Sequence, residues 1–232
     1  MVDFKEDERL NTLNHSCAHV MAQAVKHLYP NAKFWVGPVV KEGFYYDIDL
    51  GDTAVNDDVI AAIEKEMKKI AKSGKKIMRR EVSKAEAMEM FQNDEYKLDL
   101  ISDLGDGNIT VYDQGDFTDL CRGPHVDNVK LCRNFKLIRH SGAYWKGDSN
   151  NKVLQRIYGV CFPTPEELED HLRLLEEAKE ITEKSVKTWD CSWWTTLSDA
   201  DFRCSYQRVT QSGRNWKTTL KIRKENSATF MS

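Results

Sequence analysis

The chain has 232 residues, 41 % of them apolar and 31 % charged, with a formal net charge of −3; this is the balance of a globular protein large enough for one or two domains. That charge does not announce a nucleic-acid binder, and no run of about 18 apolar residues offers itself to a bilayer. Six cysteines at irregular spacings do not suggest a disulfide framework, and the opening MVDFKEDERLNTLNHS lacks the apolar segment of a secretory signal, so a reduced cytoplasmic protein is expected.

Leu13, Cys17, Val20, Met21 and Ala24 recur at three- and four-residue spacing and predict a helix from about Leu10 to Leu28, ended by Pro30. Phe34–Val40 and Gly43–Leu50 read as two strands joined by a Lys-Glu-Gly turn. DDVIAAIEKEMKKIAKSG predicts a second helix, with acids first, lysines last and Gly74 as its stop, complementing the helix dipole. Ile77–Val82 reads as a strand, and Ser83 with Glu86 forms a capping box for a third helix. Short apolar runs broken by Gly, Asp and Asn across 108–138 predict strands and turns, and Val153–Phe162 predicts a further strand.

Thr164, Pro165 and Glu167 set up a last helix, with Leu168, Leu172 and Leu175 on one face. Residues 185–232 break the pattern. They hold four of the six tryptophans and eight Lys+Arg against four Asp+Glu, without helical period or caps. Two readings stand for this tail: a small Trp-rich interaction segment, or translation out of frame after about Lys184. The expected organisation is a domain over 1–163, a connector helix over 164–184 and an unmatched tail over 185–232. The expected fold class is α+β, a two-layer domain with a mostly antiparallel sheet and helices packed on one side. The first helix should cross the pocket.

Two pairs of residues carry chemistry. His15 and His19 lie one helical turn apart, so both imidazoles project from one face, suited to one metal or one substrate. In Cys121-Arg-Gly-Pro-His125 a Gly-Pro turn lets thiol and imidazole face each other. Three imidazoles and a thiol are the ligand types of a zinc site; without metal they can orient a water as bases and donors. The wide gap between the pairs excludes zinc-finger spacing. Lys65, Lys68, Lys69, Lys72, Lys75, Lys76, Arg79 and Arg80 cluster on and after the second helix. They read either as a solvated face balanced by Glu64 and Glu66 or as contacts to RNA phosphates.

LNHSCAHVMAQAVKHLYP, VGPVVKEGFYYDIDL, FTDLCRGPHV and GAYWKGDSNNKVLQRIYG resemble the editing domain of bacterial-type threonyl-tRNA synthetase, in order, from about residue 8 to residue 180. The resemblance implies hydrolysis of serine wrongly attached to tRNA(Thr), with that charged tRNA as partner, no membrane and no set oligomeric state. Zinc is possible at His15, His19, Cys121 and His125, as in the related alanyl-type domains, but none is required. The resemblance adds Lys97 to these four as catalytic. It also nominates Tyr46, Asp47, Asp119 and Arg122 as substrate-binding. The ubiquitin-like domain and the catalytic core with its ATP site have no counterpart here, so ligation is not expected. The competing readings are an inactive RNA-binding remnant and an alanyl-type zinc hydrolase.

Overall fold

A computed structural model describes residues 3–188 apart from 52, 106 and 108, and of 181–188 the backbone alone. The expected tail thus lies outside the described residues, save the helical backbone up to 188. The chain divides into two units, Met1–Ala178 and Lys179–Ser232. Every described element belongs to the first unit, apart from the end of the last helix.

Helix α1 (Glu8–Leu28) starts where the Asp7 side chain accepts from the backbone N–H groups of Arg9 and Leu10, and it is buried almost all round from Leu13 to Val25. A helix so enclosed serves as the central strut, and the rest of the unit is built on it. Strands β1 (Lys33–Phe34) and β2 (Val39–Val40) both pair antiparallel with β3 (Gly43–Asp49). The single strand expected over 34–40 is interrupted at Gly37-Pro38, where proline has no N–H to give the ladder. Gly37 also lies flat on the ring of Tyr46, a place a Cβ would occupy at 2.4 Å.

Helix α2 (Asp57–Ser73) is capped by Asn56 and stopped by Gly74 at φ 67°. It lays Ile63, Met67 and Ile70 against α1 in the main core. Strand β4 (Ile77–Val82) and helix α3 (Lys84–Met90), capped by Ser83, fall where the sequence predicts them. Helix α4 (Glu95–Asp103), capped by Asp94, was not expected. Strands β5 (Ile109–Gln114) and β6 (Phe117–Leu120) complete a three-stranded sheet ordered β4-β5-β6. Its core is Val82, Ala87, Ile101, Ile109 and Val111, beneath α3 and α4.

A 3-10 turn at Val129–Arg133 leads into β7 (Asn134–Tyr144), which pairs with β8 (Val153–Phe162). Strands β1, β3, β8 and β7 run side by side in the larger sheet, with β2 also on β3. Every strand pairing is antiparallel. The α+β class holds, with the strands divided between two sheets. Helix α5 (Pro165–Thr188) follows, its first turn capped by the Thr164 hydroxyl, and Leu168 and His171 pack on Phe4 and Phe162. The four described cysteines are free thiols. Among the described residues no helix is long and apolar enough to cross a membrane.

Candidate active site

The middle of α1, at His15 and His19, meets the loop after β6, and there the two residue pairs become one cluster. The His15 and His125 rings lie 4.4 Å apart, His19 and His125 4.2 Å, and His15 and His19 5.4 Å. The Cys121 thiol sits 3.1 Å from His15 Nε2 and 3.3 Å from His125 Nε2. One ligand atom from each of the four lies within 4.8 Å of every other.

The loop that brings Cys121 to His125 needs Gly123. Its φ is 72°, and a Cβ there would stand 2.1 Å from the Tyr112 hydroxyl. Left-handed backbone and a blocked Cβ both demand glycine. The Gly123–Pro124 bond is cis, and the Gly123 N–H donates to the Cys121 sulfur at 3.3 Å.

Hydrogen bonds outside the cluster settle the tautomers. The Ser16 hydroxyl donates to the Thr12 carbonyl at 2.8 Å, because a carbonyl only accepts. The Ser16 oxygen then accepts from Val126 N and from His125 Nδ1 at 3.1 Å. His125 therefore carries its proton on Nδ1 and turns a bare Nε2 toward Cys121. His15 bonds the backbone of Pro124, which has only a carbonyl to offer, so its Nε2 also faces inward bare. Burial pushes His15 below the usual imidazole range and His19 well below it. His125 is pushed down to about 2, by burial first and then by His19 and His15. Burial raises the Cys121 thiol to about 11. At neutral pH, without a metal, the cluster is three neutral imidazoles and a thiol.

Beside it stands a buried charged group. Lys97, on the first turn of α4, places Nζ 2.6 Å from Asp119 Oδ1 and 3.1 Å from the Tyr46 hydroxyl. The Tyr46 hydroxyl donates to Asp119 Oδ2 at 2.5 Å, and Leu120 N donates to Oδ1 at 2.8 Å. His19 Nε2 is 3.6 Å from the same carboxylate. Lys97, Tyr46 and Asp119 are each at most 3 % exposed. A cavity of about 760 Å³ opens over this group, lined by His15, His19, Tyr46, Lys97, Asp119, Cys121 and Arg122 among others.

Two nominated residues depart from expectation. His125 belongs to the cluster but does not line the cavity; it stands behind Cys121. Asp47 is a correction: it neighbours Tyr46 on β3 and so points to the other face of the sheet. There it is fully buried and takes a bidentate ion pair from Arg156, at 2.6 and 2.8 Å, away from the cavity. Its role in this structure is to bind β3 to β8. Ser16, Tyr112 and Trp35 were not singled out by sequence. Trp35 lines the cavity with a buried indole N–H that has no partner among the described residues.

Residues 109–158 match the family model for the threonyl and alanyl tRNA synthetase second additional domain. That stretch holds β5, β6, the Cys121–His125 loop and most of the β7–β8 pair. Threonine–tRNA ligases of Staphylococcus aureus strains JH9 and Newman are 53 % identical to the chain over 181 residues, 78 % of it. The chain spans 28 % of the length of these relatives. The chain is thus similar over residues 109–158 to the threonyl and alanyl tRNA synthetase second additional domain, and over 181 residues to a portion of a bacterial threonine–tRNA ligase.

Proposed function

We propose that the chain hydrolyses the ester of seryl-tRNA(Thr). The observation that carries this reading is the convergence of the His15 imidazole, the Cys121 thiol and the buried Lys97 on one cavity, with His125 behind the thiol. An aminoacyl ester is already activated, so its hydrolysis asks for a held water, a base and a stabilised oxyanion. His15 suits the base: it is neutral, it lines the cavity, and its other nitrogen is held by Pro124. The proton it takes from water returns to the ribose oxygen as the tetrahedral intermediate collapses and the ester C–O bond breaks. Lys97 stands where a developing oxyanion can be met, and Asp119 with Tyr46 holds it there. His19 and Arg122 are left to position water and the ribose end.

Need and selectivity follow from size. Serine lacks one methyl of threonine, a difference worth only about 1–3 kcal/mol in a single binding pocket. A second, hydrolytic pocket that admits serine and rejects the larger residue multiplies that discrimination. Deacylation of seryl-tRNA(Thr) by the purified chain tests the reading; RNA binding without hydrolysis would leave only the remnant.

The donor set also fits a metal. His15, His19, Cys121 and His125 would hold zinc, with the Nδ1 protons of His15 and His125 engaged outside the cluster as metal-bound histidines require. Zinc there would supply Lewis acidity toward a carbonyl or a bound water. The proposed hydrolysis takes its base from the imidazoles and its oxyanion partner from Lys97. Dialysis against EDTA is expected to leave the deacylation rate within twofold. A loss restored by stoichiometric zinc would transfer the reaction to the metal and favour the alanyl-type reading.

A further inference from the structure

We infer that the outer side of α2, with the 3-10 turn beside it, is the surface on which the RNA backbone docks. The inference rests on the proposed hydrolysis for the identity of the RNA. The basic run around α2 looks uniform in sequence, and the structure sorts it into two groups. Lys69 pairs with Glu66, Lys75 with Asp116, Arg79 with Glu81, and Arg80 with Asp113 and Glu86. These are neutralised locally and offer a polyanion little. Lys65, Lys68, Lys72 and Lys76 are exposed and have no ion-pair partner among the described residues.

The fold then adds two cations from elsewhere in the chain. The backbone bonds Val129 N to Lys75 O and Ile77 N to Asp127 O seat the 3-10 turn against the end of α2. Lys130 lies over Gly74, where an added Cβ would meet its Cε at 2.3 Å. Six residues on, Lys136 pairs with Glu64 at 2.9 Å, so the segment 130–136 runs back alongside α2. Lys130 and Arg133 are exposed and, like the four lysines, without an ion-pair partner among the described residues.

Lys65, Lys68 and Lys72 lie within about 60° of one another around the helix, on the side next to Glu64 and opposite the buried Ile63, Met67 and Ile70. From Lys65 to Lys72 the helix rises about 10 Å, long enough for the three ammonium groups to meet neighbouring phosphates of one RNA strand. The surface is also near the cavity. Lys130 is five residues from His125, hence within about 18 Å of it. Unpaired like charges held together cost stability through mutual repulsion, and a polyanion that releases its counterions relieves that repulsion. A chain of net charge −3 thus grips RNA through one local surface.

The test is salt-dependent binding of the full chain to a fluorescent RNA hairpin with an unpaired 3′-CCA end. K65Q/K68Q/K72Q is expected to lose about thirtyfold in affinity and to flatten the log Kd against log salt slope by about two, while K65R/K68R/K72R binds as the parent does. K33Q/K146Q/K152Q removes the same charge from paired lysines elsewhere and is expected to change the slope by less than half a unit. Matching thermal melts confirm that each variant is folded. The inference is overturned if the parent does not bind the hairpin. It also fails if the α2 variant keeps parental affinity and slope, or if the control loses as much. Hydrolysis is read separately: a chain that binds through α2 yet cleaves no seryl ester sinks the proposed function and leaves the surface standing.

Discussion

Replacing Lys97 by alanine is expected to remove deacylation and to destabilise the domain by about 3–5 kcal/mol. Both effects have one origin. Lys97 and Asp119 are buried together, and the carboxylate accepts from Nζ at 2.6 Å. Without the lysine, a carboxylate loses its counter-charge where water cannot replace it. Such a loss is a large part of the 5–15 kcal/mol that holds an ordinary domain. Activity must therefore be compared at equal folded fraction, by urea titration followed through tryptophan fluorescence. The double variant Lys97→Met with Asp119→Asn separates the two effects. Removing the charge pair as a unit should return much of the stability, but it should not return hydrolysis. A Lys97→Ala protein that is stable and hydrolyses at the parental rate would show the pair to be neither strut nor oxyanion partner.

His15→Ala should behave differently. His15 is half-buried at the cavity wall and carries no ion pair among the described residues, so the fold should survive its loss with little change in melting temperature. Deacylation should fall by roughly 10²–10⁴, the range for removing a positioned general base. His125→Ala should cost less activity, because His125 stands behind Cys121 and does not line the cavity. The order His15 before His125, in single-turnover rates, is the informative result. Equal losses would mean that the cluster acts as one unit, as a metal site does.

Much of this architecture is written locally in the chain. The caps Ser83 and Thr164, the stop at Gly74 and the apolar stripe of α2 are short-range signals, and each element they mark is present. Helix α4 is not legible because nine residues, EYKLDLISD, give too few turns for a periodic stripe, and its cap Asp94 follows another polar residue. The division into two sheets is invisible for a different reason. Strand pairing is non-local, so nothing in β4 alone says that it joins β5 rather than the larger sheet.

The site divides in the same way. His15 with His19, and Cys121 with His125, are legible as pairs because helix pitch and a Gly-Pro turn set their geometry. That the pairs meet across 106 residues is a property of the fold. Lys97 carries no local signal and is suggested only by resemblance to a family. Asp47 shows where resemblance outran physics. Adjacent residues of a strand face opposite ways, so Tyr46 and Asp47 could not both reach one cavity, and the aspartate went to Arg156. Ser16 fixes the His125 tautomer through a hydroxyl in a helix interior, which no periodicity marks.

A comparison of two esters on one RNA decides whether this pocket is a selective hydrolase. Purified chain at fixed concentration is mixed with tRNA(Thr) carrying serine or threonine, and the first-order rate of ester loss is followed against the spontaneous rate. The seryl ester should be lost rapidly and the threonyl ester more slowly by about 10- to 200-fold, the worth of one methyl group excluded by shape. Equal rates for the two esters, or a seryl rate no faster than buffer alone, would contradict the hydrolytic reading.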